Sequence, residues 1–418
     1  MNYIFWSRRI SDVDHIVPVI YSLLESGVAP VNIRYRQLWP DHTTEGINTD
    51  KRIKYLASRG VTHHNSELQN ALFRLTKFIN SSRKQAGWSW KVLSTILVQI
   101  VFKIMRGHLK FLCWSVARRH KGRATFVTDL AASYPYNTLS KWARKYYIPM
   151  VGVPHGLAVH KGAKHIPHHR LFFPLALPLK PFDKMIIVSQ LQLDLDSQYS
   201  SPNSLILGSA RYSQRWISQL KHLYPSTPIK DREICKVVFF ADKPGQHISG
   251  DFYAWVDTDE CVRLIRHLAS NIAMQVVVKT HPSMNAQSRA PFDIEGVTLV
   301  STDSEMTSFE LIESSDIVVG VATSAYVDAL LMRKPLIVPK YVSSFQLIFN
   351  QVIGDVAIDS FPEFRNRIKS IISGDWKVNE TAYQRAEHLL VGSGDTLSRY
   401  AKCLMDIKSF SVANSRNS

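Results

Sequence analysis

The sequence predicts an α/β protein with two domains built on parallel sheets, and three observations carry this prediction. Short β-branched runs alternate with amphipathic helical segments along most of the chain, a rhythm typical of parallel strands joined by helices. The 418 residues exceed one ordinary core and correspond to two domains of about 150 to 230 residues each. Several apolar runs end in polar residues, as parallel strands do beside a ligand site. We therefore expect the chemistry at the strand ends.

The first half of the chain contains the elements of one sheet. Strands are predicted at residues 3–6, 31–35, 61–62, 124–130, 148–153, 184–188 and 204–208. Helical patterns lie between them, at residues 15–27, 50–58 and 138–147. A turn-rich passage containing two prolines, Pro225 and Pro228, follows and is the best linker candidate.

The second half repeats the rhythm. Strands are predicted at residues 236–240, 276–278, 316–321, 336–339 and 356–358, and helices at residues 260–270, 361–372, 381–390 and 395–410. Asp395 is the predicted N-cap of the last helix, after which the chain becomes polar. These patterns predict an N-terminal acceptor domain over residues 1–224, a linker over 225–230, a C-terminal nucleotide-donor domain over 231–394, and a terminal helix with a flexible tail over 395–418.

Composition limits the partners and the compartment. The net charge of +17 attracts nucleic acid, anionic lipid or phosphorylated substrates. No zinc-finger, aromatic RNA-binding or helix-turn-helix signature accompanies the charge, so nucleic acid is not an expected partner. The four cysteines have no paired spacing for zinc or a disulfide framework, and the apolar stretch at the N-terminus is too short for a secretory signal. We expect a cytoplasmic protein.

An unusually apolar stretch runs from Trp88 to Ala117. Lys103, Arg106, His108 and Lys110 interrupt it, which argues against a transmembrane helix. Two interpretations remain. The apolar side packs on the sheet with its cations solvated, which we favour, or the stretch lies as a basic amphipathic helix on the anionic inner face of the cytoplasmic membrane.

Two strand ends of the second half predict a phosphate site. The run at 276–278 ends in Lys279, Thr280 and His281, and the run at 316–321 leads through Thr323 and Ser324 into a helix. The N-terminus of a helix presents free N–H groups and a partial positive charge, both suited to phosphate. Ser and Thr are also ordinary N-cap residues, so the order and context of the two motifs carry the prediction.

Strand ends of the first half supply further candidates. The strand at 148–153 runs into His155 and Gly156, and histidine is suited to accept a proton near neutral pH. The loop that follows is rich in histidine and lysine, including His160 and Lys164, and three interpretations stay open for it: a basic loop facing the acceptor, a metal site, or an inert surface. Metal is the weakest of the three because the spacing fits no closed site.

Two other strand ends complete the candidate set. Asp129 stands at the carboxyl end of the fourth predicted strand, where an acceptor-binding side chain is expected. Gly208 and Arg211 follow the strand at 204–208 and combine a small residue with a cation, as donor binding requires.

The motifs resemble those of one family of enzymes. Two α/β domains with phosphate-type groups at the second domain's strand ends are similar to GT-B glycosyltransferases, whose two Rossmann-like, doubly wound domains face a central cleft. Three motifs resemble the bacterial surface-polysaccharide branch that includes CDP-glycerol glycerophosphotransferases, polysialyltransferases and capsule Kdo transferases: His155-Gly156, His281-Pro282 after Lys279, and Thr323-Ser324 between Asp316 and Asp328 with Pro335 beyond. The resemblance covers residues 151–341.

The resemblance implies roles for these residues. Lys279, Thr323, Ser324 and Asp328 would bind a nucleotide-activated donor, and His155 and His281 are the candidate catalytic residues. Gly156, His160, Lys164 and Asp129 would face a glycan or lipid-linked glycan acceptor. This sequence lacks a Trp before its His-Gly and an Arg before its His-Pro, two features of the glycerophosphotransferases. We assign no Asp-x-Asp metal motif to a predicted strand end, and we therefore predict a metal-independent glycosyl or polyol-phosphate transfer without a cofactor.

Two alternatives compete with this interpretation. UDP-N-acetylglucosamine 2-epimerases share the two-domain fold, but they need several carboxylates, and Asp129 is the one well-placed carboxylate that the sequence indicates in the first domain. A non-catalytic glycan-binding or nucleic-acid-binding protein is the second alternative. Such a module would not need Lys, His and hydroxyl groups converging on one cleft.

Overall fold

The computed structural model describes most of the chain. It covers residues 1–407 except 8–9, 38–49, 84–87, 131–135, 155–159, 162–181, 196–201, 226–233, 242–244, 250–251, 282–283, 301–305, 321–322, 324, 344–345, 348–353 and 393. The statements below concern these residues.

The first sheet contains seven parallel strands. The strands of this half are β1 (Asn2–Ser7), β2 (Ile33–Gln37), β3 (Thr62–Asn65), β4 (Ala124–Asp129), β5 (Met150–Val153), β6 (His160–Lys161), β7 (Lys184–Ile187) and β8 (Ser204–Ile206). All but β6 join the sheet, in the order β3-β2-β1-β4-β5-β7-β8. The order reverses between β1 and β4, and the carboxyl ends of a doubly wound sheet open a crevice at such a point.

Helices cover both faces of the first sheet. They are α1 (Ile10–Glu25), α2 (Lys51–Ser58), α3 (Glu67–Arg83), α4 (Trp88–His120), α5 (Tyr136–Lys145), α6 (Gln190–Leu195) and α7 (Gln214–Leu223). Successive side chains of a strand point to opposite faces. Tyr3 and Phe5 therefore join the core around α1, whereas Ile4 and Trp6 join the core around α4 and α5.

The second sheet repeats this arrangement with six parallel strands. The strands of this half are β9 (Cys235–Ala241), β10 (Gly245–Ser249), β11 (Phe252–Val256), β12 (Met274–Thr280), β13 (Val297–Val300), β14 (Ile317–Gly320), β15 (Leu336–Pro339), β16 (Gln346–Leu347) and β17 (Ala357–Ile358). The sheet order is β13-β12-β9-β14-β15-β17, with a second reversal between β9 and β14. The strands β10 and β11 form an antiparallel hairpin that the sequence analysis did not predict, and β6 pairs with β16.

The helices of the second half include one that returns to the first half. They are α8 (Thr258–Ala269), α9 (Ala286–Arg289), α10 (Ser308–Glu313), α11 (Ala325–Leu331), α12 (Phe361–Ile372), α13 (Glu380–Val391) and α14 (Thr396–Asp406). Asp395 caps α14 as predicted, because its carboxylate accepts the N–H of Ser398 at 3.2 Å. Leu397 and Leu404 of α14 are buried in the same core as Ile16 of α1. The last helix therefore packs on the first sheet's helices.

The chain crosses itself where α13 meets the segment after β8. Gly208 has a φ of +88° and Gly392 a φ of +89°, a region that favours glycine. A Cβ on Gly208 would lie 2.9 Å from the Thr396 Oγ1 and 3.0 Å from the Val391 carbonyl oxygen. This predicted donor-binding glycine thus serves a close backbone crossing between the two halves.

The long helix α4 matches the favoured interpretation on one side and departs from it on the other. Leu109, Cys113 and Val116 are buried against the first sheet, as predicted. Within the described residues, the segment Ser89–His120 is the one helix long and apolar enough to cross a membrane by length and composition, and only 22% of its most apolar stretch is buried. The helix therefore carries both a packed apolar side and an exposed one.

Candidate functional site

The carboxyl ends of the second sheet gather two of the predicted donor groups. Lys279 lies near the end of β12, and His281 follows it with an exposed side chain. The backbone N–H of His281 donates to the carbonyl of Ala241 at 3.0 Å, which ties this turn to the end of β9. Lys279 and His281 therefore lie at the carboxyl edge of the second sheet, beside the point where the strand order reverses.

A hydrogen bond to the backbone of the second domain holds the Lys279 side chain at this edge. Its ammonium donates to the Met306 carbonyl oxygen at 2.8 Å, just before α10 begins. Burial lowers the pKa of Lys279, while the negative charges of Glu310 and Asp14 raise it. Asp14 belongs to the first domain, so this lysine lies within the electrostatic reach of both domains.

Thr323 lies at the start of α11. Its hydroxyl oxygen accepts the N–H of Ala325 at 3.3 Å, which is the capping contact expected of a Thr at a helix start. The same hydroxyl retains a proton that it can donate to a ligand. Ser324 lies outside the described residues, so its predicted role stays a prediction.

Arg211 and Asp328, both predicted to bind the donor, contact each other across the two domains. The Arg211 Nη2 lies 2.8 Å from the Asp328 Oδ2, and its Nη1 lies 3.1 Å from the Asp14 Oδ2. Arg52 pairs with Asp14 and with Asp50, and the Asp50 Oδ2 lies 2.6 Å from the Arg52 Nη2. These five residues form one chain of alternating charges, which we name the domain-bridging ion cluster.

The cluster separates the pKa values of Asp14 and Asp328, the two carboxylates that share Arg211. Burial raises the pKa of both, but Arg211 and Arg52 together hold the pKa of Asp14 well below its usual range. Asp328 has one arginine partner, and burial raises its pKa to about 6 despite the opposing effect of Arg211. Asp328 is therefore the carboxylate of this cluster that exchanges a proton near neutral pH.

Further contacts join the domains beside the cluster. The ring of Phe309, on α10, is buried in the core of the first domain. The Lys51 ammonium lies 3.8 Å from the Glu310 Oε1 and 4.8 Å above the ring of Tyr224. A cavity of about 50 Å³ between the domains is lined by parts of α1, α2, α7, α10 and α11. The ion cluster thus forms one wall of an interdomain space.

The remaining predicted residues fall into three groups. Asp129 is fully buried at the end of β4, and its role in acceptor binding stays a prediction. His160 belongs to β6, whose backbone pairs with the second domain's β16, opposite Leu347. His155, Gly156 and Lys164 lie outside the described residues.

Sequence reasoning missed the acidic side of the interdomain space. Asp12 is fully buried and accepts the Tyr136 hydroxyl at 3.3 Å, and Asp14 joins the ion cluster. Both lie in the first turns of α1, directly after β1. The Asp-x-Asp sequence that Asp12 and Asp14 form, next to the apolar stretch of α1, is a signal that could have identified them. The first domain therefore has more carboxylates near its strand ends than the sequence analysis considered.

Metal binding receives no positive support here. Among the described residues, no group of three or more His, Cys, Asp or Glu side chains is arranged to hold a metal ion. The histidine-rich segment after β5 falls largely outside these residues, so metal independence stays a prediction.

Comparisons with known proteins yield structural similarity without sequence similarity. No protein-family model matches the chain, and no curated protein matches it. The structure of UDP-GlcNAc 2-epimerase from Methanocaldococcus jannaschii is similar at 8% identity and a TM-score of 0.55, over 97% of this chain and 99% of that one. The corresponding enzyme from Neisseria meningitidis, bound to UDP-GlcNAc, has 12% identity and a TM-score of 0.53, over 97% and 98%.

The structure of a polymerase is similar to the same extent. The wall teichoic acid polymerase TagF has 10% identity and a TM-score of 0.52, over 100% of this chain and 90% of that one. At such identities the comparisons establish architecture alone. Two parallel-sheet domains with the same strand order, covered by helices on both faces and similar over nearly the whole chain to these structures, confirm the predicted fold. The chain has the two-domain, Rossmann-like GT-B fold.

Proposed function

We propose that this protein is an enzyme that transfers a sugar or a polyol phosphate from a nucleotide-activated donor to a surface-polysaccharide acceptor. The observation that carries the proposal is the position of Lys279. Its ammonium lies at the carboxyl edge of the second sheet, where burial lowers its pKa and the negative charges of Glu310 and Asp14, one from each domain, oppose this lowering. The similar structures include proteins whose names refer to a nucleotide sugar or to a cell-wall polymer, which supports this class of reaction.

The chemistry requires positive charge at the leaving group and a base at the acceptor hydroxyl. Lys279, Thr323 and Ser324 would hold the departing phosphates, so a metal ion is not needed for this step. His155 and His281 remain the candidate catalytic residues, and Asp328, with its pKa of about 6, is a third group that exchanges a proton in the useful range. Arg211 would then position Asp328 rather than contact the donor.

Nucleotide binding tests this proposal directly. We expect one of CMP, CDP, UDP or GDP, or its sugar or polyol conjugate, to raise the melting temperature, since a ligand of the folded state stabilises it. Lys279→Gln and Ser324→Ala should abolish the shift. Lys236→Gln is the matched control, because Lys236 lies on the neighbouring β9 and donates to the Ser314 Oγ at 2.8 Å near the opposite, amino end of the sheet. A shift that survives Lys279→Gln would contradict the proposed donor site.

A nucleotide-sugar 2-epimerase is the second candidate, favoured by Asp12 and Asp14 in the first turns of α1. Epimerisation needs carboxylates near the sugar, and this pair adds to Asp129. The two reactions differ in what they consume. An epimerase converts the nucleotide sugar without an acceptor and exchanges the sugar C2 proton with D₂O, whereas a transferase releases nucleotide only when an acceptor is present. NMR of the donor after incubation in D₂O, with and without acceptor glycan, separates them.

The exposed side of α4 suggests where the acceptor is met. Leu93, Ile96, Ile100, Ile104, Phe111 and Trp114 are between 40% and 58% exposed. At 3.6 residues per turn they occupy roughly one quarter of the helix circumference. An apolar stripe of this kind on a soluble protein marks an interaction surface.

The charge around this stripe favours an anionic lipid surface as its occupant. Residues 68–182 contain nineteen Lys and Arg but one acidic residue, Asp129, so this segment alone carries the whole positive excess of the chain. Lys103 and Lys110 flank the stripe on α4. Because the opposite side of α4 packs on the first sheet, the helix would lie in the membrane interface without crossing it.

Vesicle sedimentation tests this surface. The wild type should sediment with vesicles containing phosphatidylglycerol and much less with pure phosphatidylcholine. Ile96→Glu with Ile100→Glu should abolish sedimentation, and Lys103→Glu with Lys110→Glu should weaken it most at low salt. Ile272→Glu is the control, because Ile272 is 98% exposed on the second domain. Unchanged sedimentation of the α4 variants would rule out this surface.

A further inference from the structure

A second cavity lies at the carboxyl edge of the first sheet, away from the ion cluster. Its volume is about 240 Å³, and its walls are the ends of β1, β2 and β3, part of α4 and the first turn of α3. Trp6, Arg36, His64 and His108 contribute its polar groups. We name it the edge cavity. Its size accommodates a sugar ring or a phosphate group.

Two donors at the edge cavity have no acceptor. Trp6 is 1% exposed, yet its indole Nε1 has no hydrogen-bond partner among the described residues. The Arg36 Nε is likewise buried without a partner. Within the part of the chain that the structure describes, the contact of the Arg36 guanidinium is with the Trp6 ring, 5.7 Å from its centroid. A buried donor without a partner is costly, so such a pair indicates a missing ligand.

The surrounding charges repel each other. Burial lowers the pKa of Arg36, and so do the nearby charges of Arg34 and Arg119. Burial also lowers the pKa of His64 and of His108, and Arg36 lowers both further. Among the described residues, no carboxylate contributes to the pKa of Arg36, His64 or His108. Cations held together without a counter-charge are a site prepared for an anion.

The first turn of α3 adds backbone donors to the same wall. Glu67 and Leu68 line the edge cavity in the first turn of a 17-residue helix, where N–H groups have no carbonyl partner within the helix. The N–H of the preceding Ser66, which also lines the cavity, donates to the Gln37 carbonyl at 3.0 Å. Glu67 is the one acidic residue in the lining, and its side chain is exposed to solvent. The Nδ1 of His108 lies 3.0 Å from the Gln69 Nε2, which orients its ring.

We infer that the edge cavity binds the anionic group of an acidic glycan, a phosphate or a carboxylate, on the acceptor side of the enzyme. Arg36 and the Trp6 indole donate to its oxygens, and the α3 N–H groups and the two histidines complete the contacts. The assignment to the acceptor rests on the proposed function, because the donor motifs lie in the other domain. The binding of an anion to this cavity does not depend on it.

The histidines make this binding depend on pH. A bound anion favours protonated His64 and His108, so affinity should rise as pH falls through the pKa values of these groups, which lie below the usual 6.5. Glu67 is the carboxylate that faces the edge cavity among the described residues, and its exposed side chain leaves the binding of the anion to the cations around it.

Calorimetric titration at constant ionic strength tests the inference. The probes are inorganic phosphate, glucose 6-phosphate, glucuronate and, as the neutral reference, glucose. We expect the three anions to bind the full chain and glucose not to bind. Glucuronate, whose charge is the same at pH 5.5 and pH 8, should bind more tightly at pH 5.5. Arg36→Gln should weaken binding by about tenfold or more, the usual effect of losing a charged hydrogen bond. His64→Gln should reduce the pH dependence.

The matched control is Arg34→Gln. Arg34 lies two residues earlier on the same face of β2 and loses the same charge, but it does not line the edge cavity. We expect it to weaken binding less than about threefold, as a change in the general field does. Lys279→Gln should leave the binding of glucuronate unchanged, which separates the edge cavity from the proposed donor site, where phosphate itself would also bind.

The outcomes are distinct. Loss of binding in Arg36→Gln with retention in Arg34→Gln and Lys279→Gln supports the edge cavity. Equal weakening in both arginine variants would overturn the inference, because it would reduce the effect to net charge, and so would the absence of binding in the wild type. Loss in Lys279→Gln alone would assign the anion to the donor site and contradict the edge cavity. Should Arg36→Gln not fold, Arg36→Lys and His64→Gln give the same comparison.

Discussion

Two groups of arginines in the first domain differ in their partners. Arg52 and Arg211 lie in the domain-bridging ion cluster, where every guanidinium has a carboxylate within hydrogen-bond distance. Arg34 and Arg36 both lie on β2, and Arg36 lines the edge cavity; among the described residues, the neighbouring charges that affect them are other cations. The paired group already has its counter-charges and holds the two domains together. Under the inference above, Arg36 gains its counter-charge from the bound anion.

Removal of a paired arginine should give the largest change in stability and so tests this contrast most directly. Arg211→Met should lower the free energy of unfolding by about 3 to 5 kcal/mol, because it leaves Asp14 and Asp328 buried without their shared partner. Urea denaturation measures the change. Arg215→Met is the control, since this arginine is half-exposed and its carboxylates lie at 3.6 and 3.9 Å. Its loss should cost less than about 1 kcal/mol, and equal losses in the two variants would contradict the bridging role.

The placement of Arg211 depends on the crossing at Gly208. Gly208→Ala should cost about 2 to 4 kcal/mol, because it adds the strain of a positive φ to contacts of 2.9 and 3.0 Å with Thr396 and Val391. Gly27→Ala is matched, with a φ of +81° and no heavy atom within 4 Å of the added carbon. Thermal unfolding of the two variants should show a cost of about 1 kcal/mol for the control. A similar cost at both positions would show that the close crossing is unimportant.

The pH dependence of the unfolding free energy tests the raised pKa of Asp328 in the domain-bridging ion cluster. The pKa of Asp328 is about 6 in the folded protein, above the ordinary value of 3.8, so the folded state binds this proton more tightly than the unfolded chain does. Its contribution to stability is therefore present below about pH 4 and lost as pH rises to about 6. Asp328→Asn should remove this fall.

The measurement is urea denaturation between pH 4 and 7. The exposed Asp293→Asn should keep the wild-type profile. If Asp328→Asn also keeps it, Asp328 is not the group that titrates in this range.

The smallest expected effect concerns the unpaired group. Arg34→Gln should stabilise the protein by about 0.5 kcal/mol at low salt, because it relieves repulsion with Arg119 and Arg36. The gain should disappear at 0.5 M salt. Arg59 lies 3.3 Å from the Glu25 carboxylate, so Arg59→Gln should instead lower the stability by a similar amount. Melting temperatures at two salt concentrations decide this, and destabilisation by Arg34→Gln at low salt would indicate a counter-charge.

Local patterns predicted a helix or strand well where the spacing of apolar residues and the capping residues indicated the same bounds. The helix at residues 361–372 has the bounds that its pattern indicates, with Ser360 as its cap. The hairpin of β10 and β11 was missed, because a short antiparallel pair has a weaker signal than a strand buried on both faces. The pattern of α4 predicted the side that packs on the sheet. It did not predict the exposed apolar side, because the sequence does not show whether an apolar side chain is covered.

In the candidate site, too, the sequence predicted some residues and missed others. Lys279 and Thr323 were predicted from strand ends, which the parallel order brings to one edge. Arg211 and Asp328 were each selected as donor contacts, yet they contact each other across 117 residues. Ion pairs leave no periodic signal, so Asp14, the third member of this contact, was not identified. The edge cavity was missed for the same reason, since its groups come from three strands and two helices.

By itself, the sequence determined the α/β rhythm, the two parallel sheets and the polar strand ends, because these follow from local period and from the geometry of parallel strands. The tertiary structure alone decided which cations have partners and which do not. Arg36 and Arg211 are the same residue type near strand ends, and their different environments depend on α1, α4 and α11, which approach from distant parts of the chain. Burial and counter-charge are long-range properties, and only the packed structure assigns them.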